Sequence, residues 1–169
     1  MEQVLAIRGE YIQAAGCTAK ATVVADYGQR VYDYTVDVTV SADETVLTVT
    51  APEELAGITA RMTGTEGQLE YDGTVFETGP VSADGLTPLS AVAYLLACAR
   101  SGFVDSCTTE ALGEQETLRV LCRDPAVSAG QGQEATLWFD VASHALVQGE
   151  VSVDGYRVLL CKIEQFSLS

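Results

Sequence analysis

The sequence has few of the residues that catalysis, metal binding and nucleic-acid binding require. Its 169 residues include one histidine, His144, and nine lysines and arginines against 24 aspartates and glutamates, a formal net charge of −15. Such a charge repels nucleic-acid backbones and anionic lipid head groups. We therefore expect no nucleic-acid partner and no electrostatic attraction to a membrane surface.

Long apolar runs are also absent. No run reaches the roughly 18 residues of a membrane-spanning helix, and Glu2, Arg8 and Glu10 interrupt any signal-peptide core. The segment 14–17 is only superficially similar to a lipoprotein cleavage box, because the residues before it are too polar. We expect that any attachment to a membrane uses an N-terminal lipid anchor that this sequence does not contain.

The five cysteines are odd in number and form no CxxC pair. Zinc sites use closely spaced ligands, and His144 has no cysteine nearby, so we predict neither a metal site nor a cofactor. Cys98, Cys122 and Cys161 lie within apolar patterns that are typical of small core residues. Free thiols are favoured; the alternative is a disulfide that involves Cys107.

What the chain has in abundance is strand-forming residues, with 20 valines and 17 threonines. In the clearest segment, 32–40, tyrosines and valines alternate with Asp33, Thr35, Asp37 and Thr39, which predicts a strand with one buried and one wet face. Asp72-Gly73 and Asp154-Gly155 are two-residue hairpin signals. The full pattern predicts about ten strands.

Two helices interrupt this pattern. Residues 3–15 carry an approximate apolar stripe, and a second, almost wholly apolar helix is predicted over 87–101, capped by Thr87, with Pro88 at its first position and Gly102 after its end. A helix that is apolar all round is buried on more than one side. We expect one set of its residues to face the sheet: Leu89, Val92, Ala93 and Leu96. A second set is expected at its sides: Tyr94, Leu95 and Cys98.

These elements predict a mainly β fold of the α+β class. Short connections favour an antiparallel sheet, and about ten strands in one open sheet curl. The expected architecture is an unclosed half-barrel with the helix across its concave face; two small sandwiched sheets are the alternative. We expect a single domain over 1–169, with an N-terminal helix (1–16), a first strand run (17–86), the crossing helix (87–102) and a second strand run (103–169).

Two segments resemble a known family. The first is the run 47–58, Leu-Thr-Val-Thr-Ala-Pro-Glu-Glu-Leu-Ala-Gly-Ile, followed by a strand and Tyr71-Asp72-Gly73; the second is 135–140, Ala-Thr-Leu-Trp-Phe-Asp, with 144–147, Asp154-Gly155 and a strand that ends at Phe166. Together they resemble the LolA/LolB-like superfamily of lipoprotein carriers, nearest to extracytoplasmic lipoproteins of spore-forming bacteria. The resemblance covers about residues 18–168. This chain departs from the family's pattern at Ala145 or Leu146, where a proline is usual, and the family's lid-locking arginine cannot be assigned to any of its positions.

The resemblance implies an unclosed β-barrel with helices across its mouth, located outside the cytoplasm. It also implies a non-enzymatic binding protein that holds a lipid or an acylated ligand in an apolar cavity. The alternative is a protein-interaction or regulatory module of the cell envelope on the same scaffold, with a filled interior. A hydrolase is disfavoured, because one histidine and no nucleophile motif offer little for acid–base catalysis.

The lipid-binding hypothesis predicts a cavity of a few hundred Å³ beneath the 87–101 helix. The predicted lining is apolar and comes from both strands and helix: Tyr34, Val36, Val38, Leu47, Val49, Ile58, Ala60, Met62, Val92, Leu95 and Leu96. An ordinary filled core is the competing interpretation of the same residues. Trp138, the only tryptophan, alternates with Leu137 and Phe139, so we expect it to face outward and to anchor a partner protein. His144 is expected to be a solvated turn residue.

Overall fold

The computed structural model describes residues 2–80 and 84–169. Two α-helices, eleven strands and one 3-10 turn form within these ranges. In chain order they are α1 (Glu2–Gln13), β1 (Cys17–Asp26), β2 (Val31–Val40), β3 (Thr45–Ala51), the 3-10 turn (Glu53–Leu55), β4 (Thr59–Thr63), β5 (Glu66–Tyr71), β6 (Thr74–Pro80), α2 (Ala91–Ser101), β7 (Val104–Leu112), β8 (Gln115–Arg123), β9 (Gln133–Asp140), β10 (Leu146–Val153) and β11 (Tyr156–Leu168).

All eleven strands belong to one antiparallel sheet in the order β6-β5-β4-β3-β2-β1-β11-β10-β9-β8-β7. The first and last strands meet at its centre, where β1 pairs with β11 from Cys17 opposite Leu168 to Ala25 opposite Leu159. The two end strands, β6 and β7, do not pair with each other, so the sheet is unclosed. The predicted mainly β half-barrel is confirmed, and the alternative of two sandwiched sheets is wrong.

The period-two pattern decides which face of each strand is buried. In β2, Val36, Val38 and Val40 are buried and Asp33 and Asp37 are exposed, as predicted. The hairpins at Asp72-Gly73 and Asp154-Gly155 also form, and all four of these residues have the positive φ that such turns require. The sheet has eleven strands rather than about ten because β5 and β6, which the sequence shows only as a short hairpin, are full strands of six and seven residues.

The crossing helix α2 packs against three strands that follow it in the chain, β9, β10 and β11. Of these, β11 lies at the centre of the sheet. It begins at Ala91, four residues later than predicted. Thr87 Oγ1 lies 2.8 Å from Ser90 Oγ and accepts a 3.3 Å hydrogen bond from the Ser90 amide, which holds 87–90 as a turn. The helix ends as predicted, with the Gly102 amide donating to the Cys98 carbonyl at 2.8 Å.

The buried side of α2 differs from the predicted side. Leu89 and Ala93, expected to face the sheet, are only half-buried, whereas Leu95, expected at the side, is fully buried. The buried residues of α2 are Ala91, Val92, Leu95, Leu96, Cys98 and Ala99. This stripe is wide because α1 packs against α2 and covers it from a second direction.

Reciprocal arginine contacts join the two helices. Arg8 of α1 donates from Nε to the Ala99 carbonyl at 3.1 Å and from Nη2 to the Gly102 carbonyl at 2.6 Å. Arg100 of α2 donates from Nε to the Tyr11 carbonyl at 2.9 Å. Each helix thus satisfies carbonyl groups at the C-terminal end of the other, where cations are also favoured by the helix dipole.

All five cysteines are free thiols, and Cys107 is the only one of them that is not buried. Cys98, Cys122 and Cys161 belong to the hydrophobic core, as predicted. Burial raises the pKa of both Cys122 and Cys161 to about 12, so these thiols stay protonated. In the described ranges, neither α1 nor α2 is long and apolar enough to cross a membrane.

Candidate functional site

The space between the helices and the sheet is filled. The partly open void there has a volume of about 10 Å³, which is about the space that one water molecule needs; its walls include Val4, Ile7, Cys98, Leu137 and Phe139. The void that these residues bound is therefore far smaller than the expected cavity of a few hundred Å³. Side chains of α1, α2 and β8–β9 interdigitate and occupy that space.

Most of the predicted lining residues are packed in this filled core. Eight of the eleven are buried: Val36, Val38, Leu47, Val49, Ala60, Val92, Leu95 and Leu96. Tyr34 and Ile58 are half-buried at the margin of the core. Of the predicted set, Met62 lines an open depression beside α2, and Val38 lines a separate one near β1 and the end of β11.

The depression beside α2 is a groove of about 230 Å³ between α2 and the turn that joins β2 to β3. We call it the α2 groove. Its lining is mostly small or apolar: Ser41, Ala42, Asp43, Glu44, Thr45, Met62, Gly64, Ser90, Ala93, Tyr94 and Ala97. It opens to solvent at one margin of the concave face, beside the filled core.

Local sequence explains the shape of the groove. On the helix side, Ser90, Ala93 and Ala97 are spaced i, i+3 and i+7, so small side chains occupy three of the four positions that line the groove, and Tyr94 occupies the fourth. On the turn side, Ser41 Oγ donates to the Glu44 carbonyl at 3.0 Å and accepts from the Glu44 amide at 3.1 Å. Small side chains and a braced turn leave open space that larger residues would fill.

The charged groups of the groove are all on the turn side. Asp43 is exposed and has no hydrogen bond or ion pair in the described structure, and Glu44 Oε1 lies 3.7 Å from Arg61 Nη1 in an exposed pair. On the helix side, burial raises the pKa of Tyr94, which keeps its phenol neutral. Among the residues that line the groove, none carries a positive charge.

Trp138 points to the outer face of the sheet, as predicted, but the prediction that it is exposed is wrong. Only 6% of its surface is accessible. Its Nε1 donates to Glu110 Oε1 at 2.6 Å, and the Arg119 guanidinium lies 5.8 Å from the ring centroid. Side chains from β7 and β8 therefore cover the indole, and the surface on which its predicted partner-binding role depends is absent.

His144 is an anchor for α1 rather than a freely solvated turn residue. Its Nδ1 lies 2.8 Å from Glu10 Oε1, and its carbonyl accepts a 3.0 Å hydrogen bond from the buried Tyr11 hydroxyl. Tyr11 also packs edge-on against Phe139 and stacks on Phe166. Sequence reasoning missed these contacts because Glu10 and His144 are 134 residues apart, and no motif spacing connects them.

Comparison with known proteins gives the fold and no more. No family model and no curated protein matches the chain. Among solved structures, an uncharacterized conserved protein from Thermus thermophilus is similar with a TM-score of 0.55 and 12% identity over 99% of this chain and 86% of that one. A DUF1329 family protein from Desulfovibrio piger has a TM-score of 0.53 and 7% identity, over 99% and 91% of the two chains.

LprF from Mycobacterium bovis is also similar, with a TM-score of 0.53 and 17% identity over 98% of this chain and 91% of that one. At such identities the likeness concerns architecture alone. One unclosed antiparallel sheet agrees with the unclosed β-barrel that the sequence resemblance implied. The chain therefore has an unclosed half-barrel fold similar to that of these structures.

Proposed function

We propose that this chain is a non-enzymatic, extracytoplasmic binding protein that holds an apolar group, of the acyl-chain type, in the α2 groove. The observation that supports this is the groove itself, an opening of about 230 Å³ on the concave side of an unclosed half-barrel. The filled core moves the proposed site from beneath the helix to its flank. Of the lining residues predicted from the sequence, Met62 keeps its role in this proposal.

The size of the groove limits the ligand. Pockets for drug-sized ligands are about 300–1,000 Å³, so a groove of about 230 Å³ suits part of one acyl chain rather than several acyl chains. Each methylene group that leaves water contributes about 0.8 kcal/mol. Burial of a few such groups is a weak or moderate interaction, which suits reversible handling of a ligand whose remainder stays outside.

The hydroxyl groups of the groove support binding rather than catalysis. Ser41 Oγ is bonded to the backbone of Glu44, and Ser90 Oγ lies 2.8 Å from Thr87 Oγ1. Neither is hydrogen-bonded to a histidine, and the one histidine is paired with Glu10. An activated serine would require a base at hydrogen-bond distance.

The proposed location is the outer side of a membrane, with an N-terminal lipid as the tether. A chain with net charge −15 gains nothing from the anionic lipids that attract basic surfaces, so retention at the membrane would depend on such a tether. Separation of native cells into membrane and cytosolic fractions, followed by intact-mass analysis of the protein from each fraction, tests this. A thioether-linked diacylglycerol mass supports the tether, and an unmodified cytosolic protein contradicts it.

The binding proposal is tested by filling the groove. Ala97→Trp places a large side chain at an exposed position of its helix wall, and Ala6→Trp makes the same change on the exposed face of α1. We expect the wild type and Ala6→Trp to bind a fluorescent acyl probe, and Ala97→Trp to lose at least ten-fold in affinity. Equal binding by all three proteins, or no binding by any, contradicts the proposal.

A second candidate, a protein-interaction module, is favoured by the filled core together with an exposed apolar hairpin. Tyr71, Val75 and Phe76 of the β5–β6 hairpin are 49–58% exposed, and β6 is an end strand of the sheet. Capture of one envelope protein in stoichiometric amount, lost in Phe76→Ser and retained in Leu5→Ser on α1, would support it. Undiminished capture by Phe76→Ser would contradict this surface.

A further inference from the structure

The α2 groove is electrostatically one-sided. Asp43 and Glu44 lie at its turn side, and the helix side offers only Ser90, Tyr94 and two alanines. Asp43 has no partner among the described residues, and the Arg61 pair at 3.7 Å compensates Glu44 only in part, because both side chains are more than 40% exposed. A ligand in the groove meets apolar and neutral groups on one side and negative charge on the other.

From this juxtaposition we infer that the groove selects an apolar chain joined to a positively charged head group, and rejects the same chain with an anionic head. The inference rests on the proposed function, because it requires that the apolar chain of a ligand binds in the groove. The apolar surfaces of Met62, Ala93 and Ala97 contact the chain, and Asp43 and Glu44 attract the head where the groove opens to water. A phosphate or a carboxylate placed there finds no cation among the lining residues.

The size of the preference follows from Coulomb's law. One pair of unit charges about 4 Å apart in water changes affinity roughly five-fold. Attraction of a cation and repulsion of an anion by Asp43 alone therefore separate the two head groups by a factor of about 25. Solvent screening reduces this, so we expect a measured ratio of at least about ten at low salt, and a smaller one at high salt.

Three ten-carbon probes with matched chains test the inference: decyltrimethylammonium, decyl maltoside and decanoate, each used below its micelle concentration. Displacement of a fluorescent acyl probe is measured at pH 7. We expect decyltrimethylammonium to bind at least ten-fold more tightly than decanoate, with the maltoside between them. Ala97→Trp should weaken all three.

Variants of the acidic residues show which of them cause the preference for the cationic head group. Asp43→Asn/Glu44→Gln should reduce the ratio between cation and anion to less than about three-fold. Asp33→Asn/Asp37→Asn, which removes the same charge from the exposed face of β2, should leave it unchanged. Since Glu44→Gln also removes the Arg61 pair, Asp43→Asn alone serves as a second variant and should reduce the ratio by half or more.

The outcomes separate this inference from the proposed function. If no probe binds, the proposed function fails. If decanoate binds as tightly as the cation, or if Asp33→Asn/Asp37→Asn lowers the ratio as much as the groove variants do, the head-group inference is overturned while the proposed function stands. Loss of the ratio only in the groove variants supports both.

Discussion

Gly149 is the residue of the sheet whose substitution should disturb the helix layer most directly. It lies in β10, where its neighbours across the ladders are Leu137 and Cys161. A Cβ atom at this position would lie 2.3 Å from Leu95 Cδ1 and 2.9 Å from Cδ2. Leu95 is fully buried, so its side chain would have to shift within the packed core.

Gly149→Ala should therefore destabilise the fold. Overpacking of a core costs about 1–3 kcal/mol, and the lower entropy of the unfolded alanine chain offsets about 0.4–1 kcal/mol of this. We expect a net loss of about 1–2 kcal/mol in the free energy of unfolding. Gly9→Ala is the matched control: Gly9 lies within α1 with nothing within 4 Å of the added Cβ, and the same change there should stabilise by about 0.5–1 kcal/mol.

A double-mutant cycle shows whether Leu95 is the cause. Leu95→Ala alone should cost about 2–5 kcal/mol because it leaves a void, and the methyl group of Gly149→Ala would enter that void. The double variant should thus be more stable than the sum of the single changes predicts, by about 1–3 kcal/mol. Urea unfolding with linear extrapolation measures all four proteins. Additive effects, or a Gly149→Ala protein as stable as the wild type, would refute the close-packing argument.

Two further predictions concern the core. Leu96→Asp buries an unpaired charge at a position that is 1% exposed, so it should lower the free energy of unfolding by more than about 3 kcal/mol. The control is Ala97→Asp at the next, exposed position, which should stay within about 0.5 kcal/mol of the wild type. Equal effects of the two variants would contradict the burial of α2. Burial raises the pKa of Cys17 to about 11 and of Cys122 and Cys161 to about 12. Since unfolded thiols ionise first, stability should be constant below about pH 8 and fall between about pH 9 and 12. Each thiol contributes up to about 1.4 kcal/mol per pH unit. Urea unfolding from pH 8 to 10.5 should show a shallower decline for Cys161→Ala, and an unchanged slope would count against this account.

Much of the fold follows from the sequence because strands carry their own signal. Alternation in β1 and β2, the two Asp-Gly turns and the apolar helix each depend on residues within a few positions of one another. The antiparallel order then follows from short connections. Where local hydrogen bonds compete with a helix, as at Thr87 and Ser90, the predicted boundary shifts by one turn.

The site was less predictable because its determinants are distant in sequence. Whether an inward-facing valine lines a cavity or fills a core depends on the layer opposite, and that layer depends on how α1 docks. Trp138 was expected to be exposed because nothing near it in sequence indicates that Glu110 and Arg119 cover it. Gly149 gave a weak local signal, since glycine within a strand can mark the close approach of another element.

The helix layer itself argues for a ligand site at the flank of α2 rather than beneath it. To open a cavity under α2, the protein would have to withdraw Leu95 from its contact with Gly149 and break the contacts of Arg8 and Arg100 that join the helices. Hydrogen bonds to charged groups contribute about 1.5–3 kcal/mol each, and removal of a core leucine costs about 2–5 kcal/mol. A short acyl segment, at about 0.8 kcal/mol per methylene, does not supply the sum of these terms. The α2 groove is already open without any movement of the helices. An acyl chain can therefore enter it while both helices stay in place.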